Sequence, residues 1–385
     1  MANIFDYLND VAYDSFYDLP VNELDVLALT ELTYLAFDDV VAQEPKRLID
    51  LAPQTPRETT MLTNKNRLQL LDQLSQHKRF KNCKLSNFIN DIDPELQKQF
   101  AAMTYRISLD TYLLVFRGTD DSIIGWKEDF HMTYMKEIPA QKHALQYLEN
   151  FFAQHPNQKV ILAGHSKGGN LAVYAASQLD PNLQKNIVAV YTFDAPGLHK
   201  ELTETPGYQN MMKRTKVFVP QGSIIGMMLE IPDKKIVVRS TALGGLAQHD
   251  TFSWQIEDKH FVQLDETNSD SQQVDTTFKE WVETVPDEEL QLYFDLFFGI
   301  ILDAGISSIN DLSSFKVIEH IHHLFVQAQS LTPEERETMG RLTQLLIDTR
   351  YQAWKNCQDK KVNESPDSLA FLEKRIRKVS LNHKP

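Results

Sequence analysis

The chain is poor in cysteine, has no secretory opening and carries no basic excess, and each shortage removes a class of function. Cys83 and Cys357 are the only cysteines in 385 residues. They are too few and too far apart for the disulfide framework of a small secreted domain, and neither has metal-site spacing. They read as unpaired thiols in a reducing compartment, with a long-range disulfide as the alternative, so the expected localisation is cytoplasmic. HExxH, EF-hand and CxxC patterns are absent, and neither a metal nor another cofactor is expected. The opening MANIFDYLNDVAYD carries acids where a signal peptide has basic residues and then an apolar run. The richest apolar stretch, Leu292 to Ile306, is broken by Asp295 and Asp303, so no segment reaches spanning length. With 39 Lys and Arg against 53 Asp and Glu, the formal charge is −14. That balance argues against holding a phosphate backbone, and nucleic acid is not an expected partner. Low-complexity tracts and internal repeats are missing too, which removes disorder and solenoids as readings.

What is present is concentrated in residues 158–179, QKVILAGHSKGGNLAVYAASQL. A short apolar run from Lys159 to Ala163 leads into Gly164-His165-Ser166-Lys167-Gly168, and apolar residues then repeat at helical spacing to Leu179. The order is buried strand, tight turn, helix. A serine on such a turn adopts strained backbone angles, and side chains at Gly164 or Gly168 would collide with the neighbouring strand and helix. Gly169 lets the helix approach the sheet. The turn puts Ser166 at a helix N-terminus, where free N–H groups favour developing negative charge. Ser166 is therefore the candidate nucleophile. The plain alternative is an N-cap serine in a glycine-rich turn, while a phosphate loop lacks its G-x-x-x-x-G-K-[ST] pattern.

Around this stretch, strands are expected at 111–116, 159–163, 187–193, 215–219 and 235–240, most of them separated by helices such as Ile138 to Ala153. That alternation predicts an α/β fold with a mainly parallel sheet covered on both faces. Met103 to Ser108 is a candidate hairpin partner for 111–116. Residues 1–50 read as helical, with Leu24, Leu27, Leu32, Leu35 and Phe37 forming an apolar band and Pro20, Asn22 and Asp25 marking a helix start. Residues 51–64 form an irregular joint. Asn66 to Gln76 and Asp93 to Tyr105 are expected helices, the second opened by Pro94. From Asp275 the pattern is helical: Thr277 to Glu283, Asp287 to Ile301, Phe315 to Gln329 and Glu334 to Lys355, followed by a basic tail, Ser365 to Pro385, with one short helix.

A serine hydroxyl is a poor nucleophile without a base, usually a histidine oriented by a carboxylate. His249 is the chosen base: it follows the last strand through the small-residue loop LGGLAQ, and FSW beyond it can anchor the loop. His199 and His260 are its rivals. Asp194 ends the strand IVAVYTF, where open α/β sheets place their chemistry, and is the expected acid; the plain reading makes it a turn residue before Pro196. An acid after strand 215–219 is missing, since Gln221-Gly222-Ser223 stand there, and Asp250 beside the base should point away. The backbone N–H of Lys167 is one expected oxyanion donor. The loop Arg117-Gly118-Thr119-Asp120 is expected to supply the second, with the Thr119 hydroxyl added. Arg117 is expected to brace that loop through Asp120 or Asp129.

These residues also resemble a family. Phe116-Arg117-Gly118-Thr119, Trp126, Asp129 and Gly164 to Asn170 are similar to the RGT…DW…D and GHSxGG pattern of class 3 (fungal) lipases. FDYLNDV, Asn22-Glu23-Leu24-Asp25, HSKGGNLAVYAA, FDAPG, SIIGMML and HDTFSW resemble the bacterial Mbeg1-like, lipase-like group over about residues 3–260. The resemblance implies an α/β-hydrolase fold and serine-dependent ester hydrolysis, with Ser166 as nucleophile, Thr119 and Lys167 at the oxyanion hole and His249 as the lipase histidine. It departs at Gln221-Gly222-Ser223, where class 3 lipases usually carry an Asp, so either Asp194 supplies the acid or the triad is incomplete. Ile224, Ile225, Met227, Met228 and Leu229 read either as acyl-pocket or flap residues or as a buried connection. The expected organisation is an N-terminal helical region (1–105), a hydrolase core (106–270) and a helical C-terminal extension (271–385). The expected function is an esterase or lipase acting on carboxylic esters such as acylglycerols or lysophospholipids, in transient contact with a membrane surface. The alternatives are a catalytically weak binding or regulatory protein and an acyltransferase or thioesterase. The sequence leaves the oligomeric state open.

Overall fold

Runs such as TYLLVF are apolar at every position because their strands lie inside a covered sheet: Leu113, Leu114, Val115 and Phe116 are all fully buried. The computed structural model describes residues 2–57, 64–120, 122–232, 234–306 and 327–364. Its strands are β1 (Lys46–Arg47), β2 (Lys84–Asp93), β3 (Lys98–Arg106), β4 (Thr111–Phe116), β5 (Lys159–His165), β6 (Ile187–Phe193), β7 (Thr215–Pro220), β8 (Ile236–Val238), β9 (Ile256–Glu257), β10 (His260–Phe261) and β11 (Gln263–Leu264). Nine of them form one sheet in the order β1-β2-β3-β4-β5-β6-β7-β8-β11, and β9 and β10 pair separately. β4 to β8 run parallel, while β1 to β4 are joined antiparallel and β11 pairs antiparallel with β8. The fold is thus α/β with a mixed, mainly parallel sheet, N-terminal helices and a C-terminal helical extension.

One expected helix is not there. Asp93 to Tyr105 lies in the hairpin of β2 and β3, so the first 105 residues contribute strands as well as helices. Pro94 sits in the connecting turn, where Oδ1 of Asp93 accepts the N–H groups of Glu95 and Leu96 at 3.0 Å each. Phe100 to Tyr105 is buried without interruption, and tertiary burial on both faces outweighs the weak local helical spacing. The pairing of 103–108 with 111–116 does form, as β3 with β4.

Alternate strand residues feed two layers. Leu113, Val115, Ile161 and Ala163 join the N-terminal helices through Leu24, Leu27, Leu32, Leu35 and Phe37. Leu114, Phe116, Val160 and Leu162 join the helices Pro139–Gln154, Lys167–Gln178 and Pro206–Met212. Asn22 caps the helix Glu23–Leu32, accepting the N–H groups of Leu24 and Asp25 while Asp25 accepts that of Asn22. Cys83 is a buried free thiol, pushed up to about 12 by burial, and is therefore unreactive.

The C-terminal helices Ser269–Thr284, Asp287–Asp303 and Pro333–Glu364 share a third core containing Trp281, Phe294, Phe298 and Leu342. Ile123, at the start of the helix Ile123–His131, belongs to it as well. Apart from its last three positions, the helix expected over Phe315 to Gln329 lies outside the described residues, as does the tail from Ser365 to Pro385. Among the described residues, no helix is long and apolar enough to cross a membrane.

Candidate active site

β5 ends at His165, and the chain turns into the helix Lys167–Gln178 within one residue. Ser166 takes that turn with φ 57° and ψ −137°, a left-handed conformation that side chains rarely adopt, and makes no side-chain capping hydrogen bond. Ser166 thus stands at the N-cap position without its hydroxyl capping the helix. The turn is tight enough that a Cβ on Gly164 would overlap the backbone of Gly168 and Gly169, and one on Gly168 would overlap the carbonyl of Phe116. The N–H of Ser166 donates to the carbonyl of Phe193 at 3.0 Å, which ties the serine to the end of β6.

Asp194 follows directly. It too has a positive φ, 45°, and is fully buried. Nδ1 of His249 lies 2.6 Å from its Oδ2. Oδ1 of Asp194 accepts the hydroxyl of Ser223 and, at 3.1 Å, the N–H of Gly226. With Nδ1–H of His249 donated to the carboxylate, Nε2 is left as the basic nitrogen. The loop is anchored as expected: the indole of Trp254 donates to the carbonyl of Gln248 at 2.9 Å. The rivals are engaged elsewhere, since His260 pairs with Glu23 at 2.7 Å and Nδ1 of His199 accepts the N–H of Glu201. Asp250 caps its own turn through the N–H of Phe252.

The loop after β4 lies beside the serine, as β4 and β5 are parallel neighbours. A Cβ on Gly118 would come within 2.9 Å of Cβ of Ser166. Among the described residues, no protein group accepts the N–H of Thr119 or of Lys167. The Thr119 hydroxyl, expected as an extra donor, instead gives its proton to Oδ2 of Asp129 at 2.5 Å. Burial, only partly offset by Lys167 and Thr119, raises the Asp129 carboxyl to about 6. Arg117 reaches Asp120 at 3.7 Å and donates to Asn90 at 2.9 Å, so it braces the loop through Asp120 and not through Asp129.

Several residues that hold this arrangement carry no sequence signal. Lys167 sends a fully buried ammonium to Glu128 at 2.8 Å and to the carbonyl and side chain of Gln99. Burial alone would lower this ammonium's pKa, but Glu128 and Asp129 keep it raised. Nε2 of His165 donates to the carbonyl of His249 at 3.0 Å, with Tyr34 at 3.3 Å from Nδ1. The Tyr34 hydroxyl in turn accepts the N–H of Gly118 at 3.0 Å. Burial, reinforced by nearby His249, holds the His165 imidazole well below its ordinary pKa. Glu31 binds Arg67 at 2.9 Å and accepts the Thr251 hydroxyl at 2.8 Å, fixing the far side of the histidine loop. Ser223 was visible only as the residue standing where an acid was missing. Met227 and Met228 are buried, which favours a connecting segment over a flap. Among the described residues, no cluster of His, Cys, Asp or Glu could hold a metal ion.

The family model described as Mbeg1-like matches residues 74–299, more than half of the chain. The chain belongs to the Mbeg1-like family. The matched region includes Thr119, Ser166, Lys167, Asp194 and His249 of this Mbeg1-like chain, while Glu31, Tyr34 and Arg67 precede it. No curated protein matches it. Among solved structures, the Mbeg1-like chain is similar to the mono- and diacylglycerol lipase from Aspergillus oryzae, at 15% identity over 65% of this chain and 89% of that one, with a TM-score of 0.39. The lipase from Rhizopus microsporus var. chinensis is similar at 16% identity over 64% and 80%, with a TM-score of 0.35. The Rhizomucor miehei lipase in its propeptide complex is similar at 19% identity over 42% and 58%, with a TM-score of 0.31.

Proposed function

We propose that this protein is a serine hydrolase that cleaves carboxylic esters through an acyl-enzyme. Ser166 attacks the acyl carbonyl as Nε2 of His249 takes the hydroxyl proton, and Asp194 steadies the imidazolium that forms. The N–H groups of Thr119 and Lys167 receive the charge on the carbonyl oxygen. His249 then returns its proton to the leaving alcohol and activates water for deacylation. The observation that carries this reading is the 2.6 Å contact of His249 with a buried carboxylate, at the strand end to which Ser166 is itself hydrogen-bonded.

The rival reading, a catalytically weak binding or regulatory protein, rests on the missing acid after β7 and on the large helical additions; Asp194 beside His249 counts against it. Leu243 and Leu246, 93% and 63% exposed on the loop leading to His249, support acylglycerols or lysophospholipids taken from a lipid surface. Water as the acyl acceptor is separated from an alcohol by product analysis with glycerol present. The direct test is Ser166→Ala. It should abolish hydrolysis of short nitrophenyl esters and labelling by a fluorophosphonate probe, and unchanged rates in a folded variant would end the assignment.

A further inference from the structure

We propose that a second site, distinct from Ser166, binds an ammonium group carried on an apolar chain. A cavity of about 580 Å³ lies between the loops after β6 and β7 and the helix Ser269–Thr284, within the size range of small-molecule sites. Neither Ser166, His249, Asp194 nor Thr119 lines it. Its apolar wall is made by Leu198, Leu229, Phe278, Val282 and Val285.

The charged residues lining it are mainly acidic. Glu204, Glu230, Glu283, Asp287 and Glu288 all line it, and none of them has an ion-pair partner among the described residues. A sixth acid, Glu201, is paired with Lys136 at 2.9 Å. Of the two lysines in the wall, Lys279 is taken up by Asp275 at 2.9 Å, which leaves Lys200 as the opposing charge. Unpaired carboxylates around an apolar hollow repel fatty acids and alkyl sulfates and attract an alkylammonium. The ring of Phe278 adds a face on which a quaternary ammonium can rest. The apolar wall offers the chain a surface, so charge and lining together select one ligand chemistry.

The test uses the full chain as Ser166→Ala, so that binding is read apart from turnover and survives even if the hydrolase reading fails. Titration calorimetry with dodecyltrimethylammonium below its micellar range should show saturable binding at one site, weaker at high salt. Neutralising Glu230→Gln, Glu283→Gln and Asp287→Asn together should weaken it at least about tenfold, each exposed charge contributing a few-fold. Val282→Trp, which fills the hollow from its apolar side, should abolish it. Dodecyl sulfate should not compete. Equal binding of the cationic and anionic chains, no effect of either variant, or no saturable binding would overturn the proposal.

Discussion

Asparagine at position 194 should stop turnover and leave the fold in place. The Asp194 carboxylate accepts from Nδ1 of His249 at one oxygen and from the Ser223 hydroxyl and the Gly226 N–H at the other. An amide has one oxygen for these three donors. If the oxygen keeps Ser223 and Gly226, the NH2 group donates to Nδ1 and moves the imidazole proton to Nε2, which removes the base. The comparable substitution in a serine protease lowers kcat about 10⁴-fold, equivalent to about 5.4 kcal/mol of barrier. If the oxygen turns to His249 instead, the NH2 group faces the Gly226 N–H and a buried donor is left unpaired, costing about 1–3 kcal/mol of stability. Turnover of p-nitrophenyl butyrate, with thermal unfolding followed by circular dichroism, separates the two outcomes. An Asp194→Asn variant with both kcat within about tenfold of the parent and unchanged thermal unfolding would refute the assignment of the acid.

Two further perturbations test what surrounds the proposed triad. Glu128→Gln leaves the buried Lys167 ammonium with Asp129, 3.6 Å away, as its one ion-pair partner beside the neutral acceptors of Gln99, and should cost about 3–5 kcal/mol in urea unfolding; a loss below about 1 kcal/mol would show that the pair contributes little. His165 has its imidazole pKa depressed in the folded chain. The unfolded chain takes up a proton as pH falls through about 6.5, whereas the native one does not. The stability from this group is therefore intact above that pH and lost below it, by about 1.4 kcal/mol at pH 5.5 relative to pH 8. His165→Asn should reduce the acid sensitivity of unfolding by that amount, and an unaltered pH dependence would remove His165 as its source.

The elbow was legible because its requirements are local. Gly164 and Ser166 answer to sterics within one turn, Gly168 answers to the Phe116 carbonyl of the adjacent strand, and the flanking strand and helix announce themselves by pattern. Asn22 and Asp25 likewise signal a helix start through contacts three residues apart. Asp194 is the expected acid from its place at a strand end and the lack of an acid after 215–219, but its contact with His249 spans 55 positions and only the folded sheet could bring it about. The same holds for Ser223, Glu128, Tyr34 and His165, whose roles consist of hydrogen bonds between distant segments and leave no periodic trace. β3 was misread for a related reason: helical spacing is a local preference, whereas burial on both faces of a sheet is conferred by neighbours far away in the chain. Local geometry thus decided which residue is displayed on the turn, and tertiary packing decided which side chains surround it.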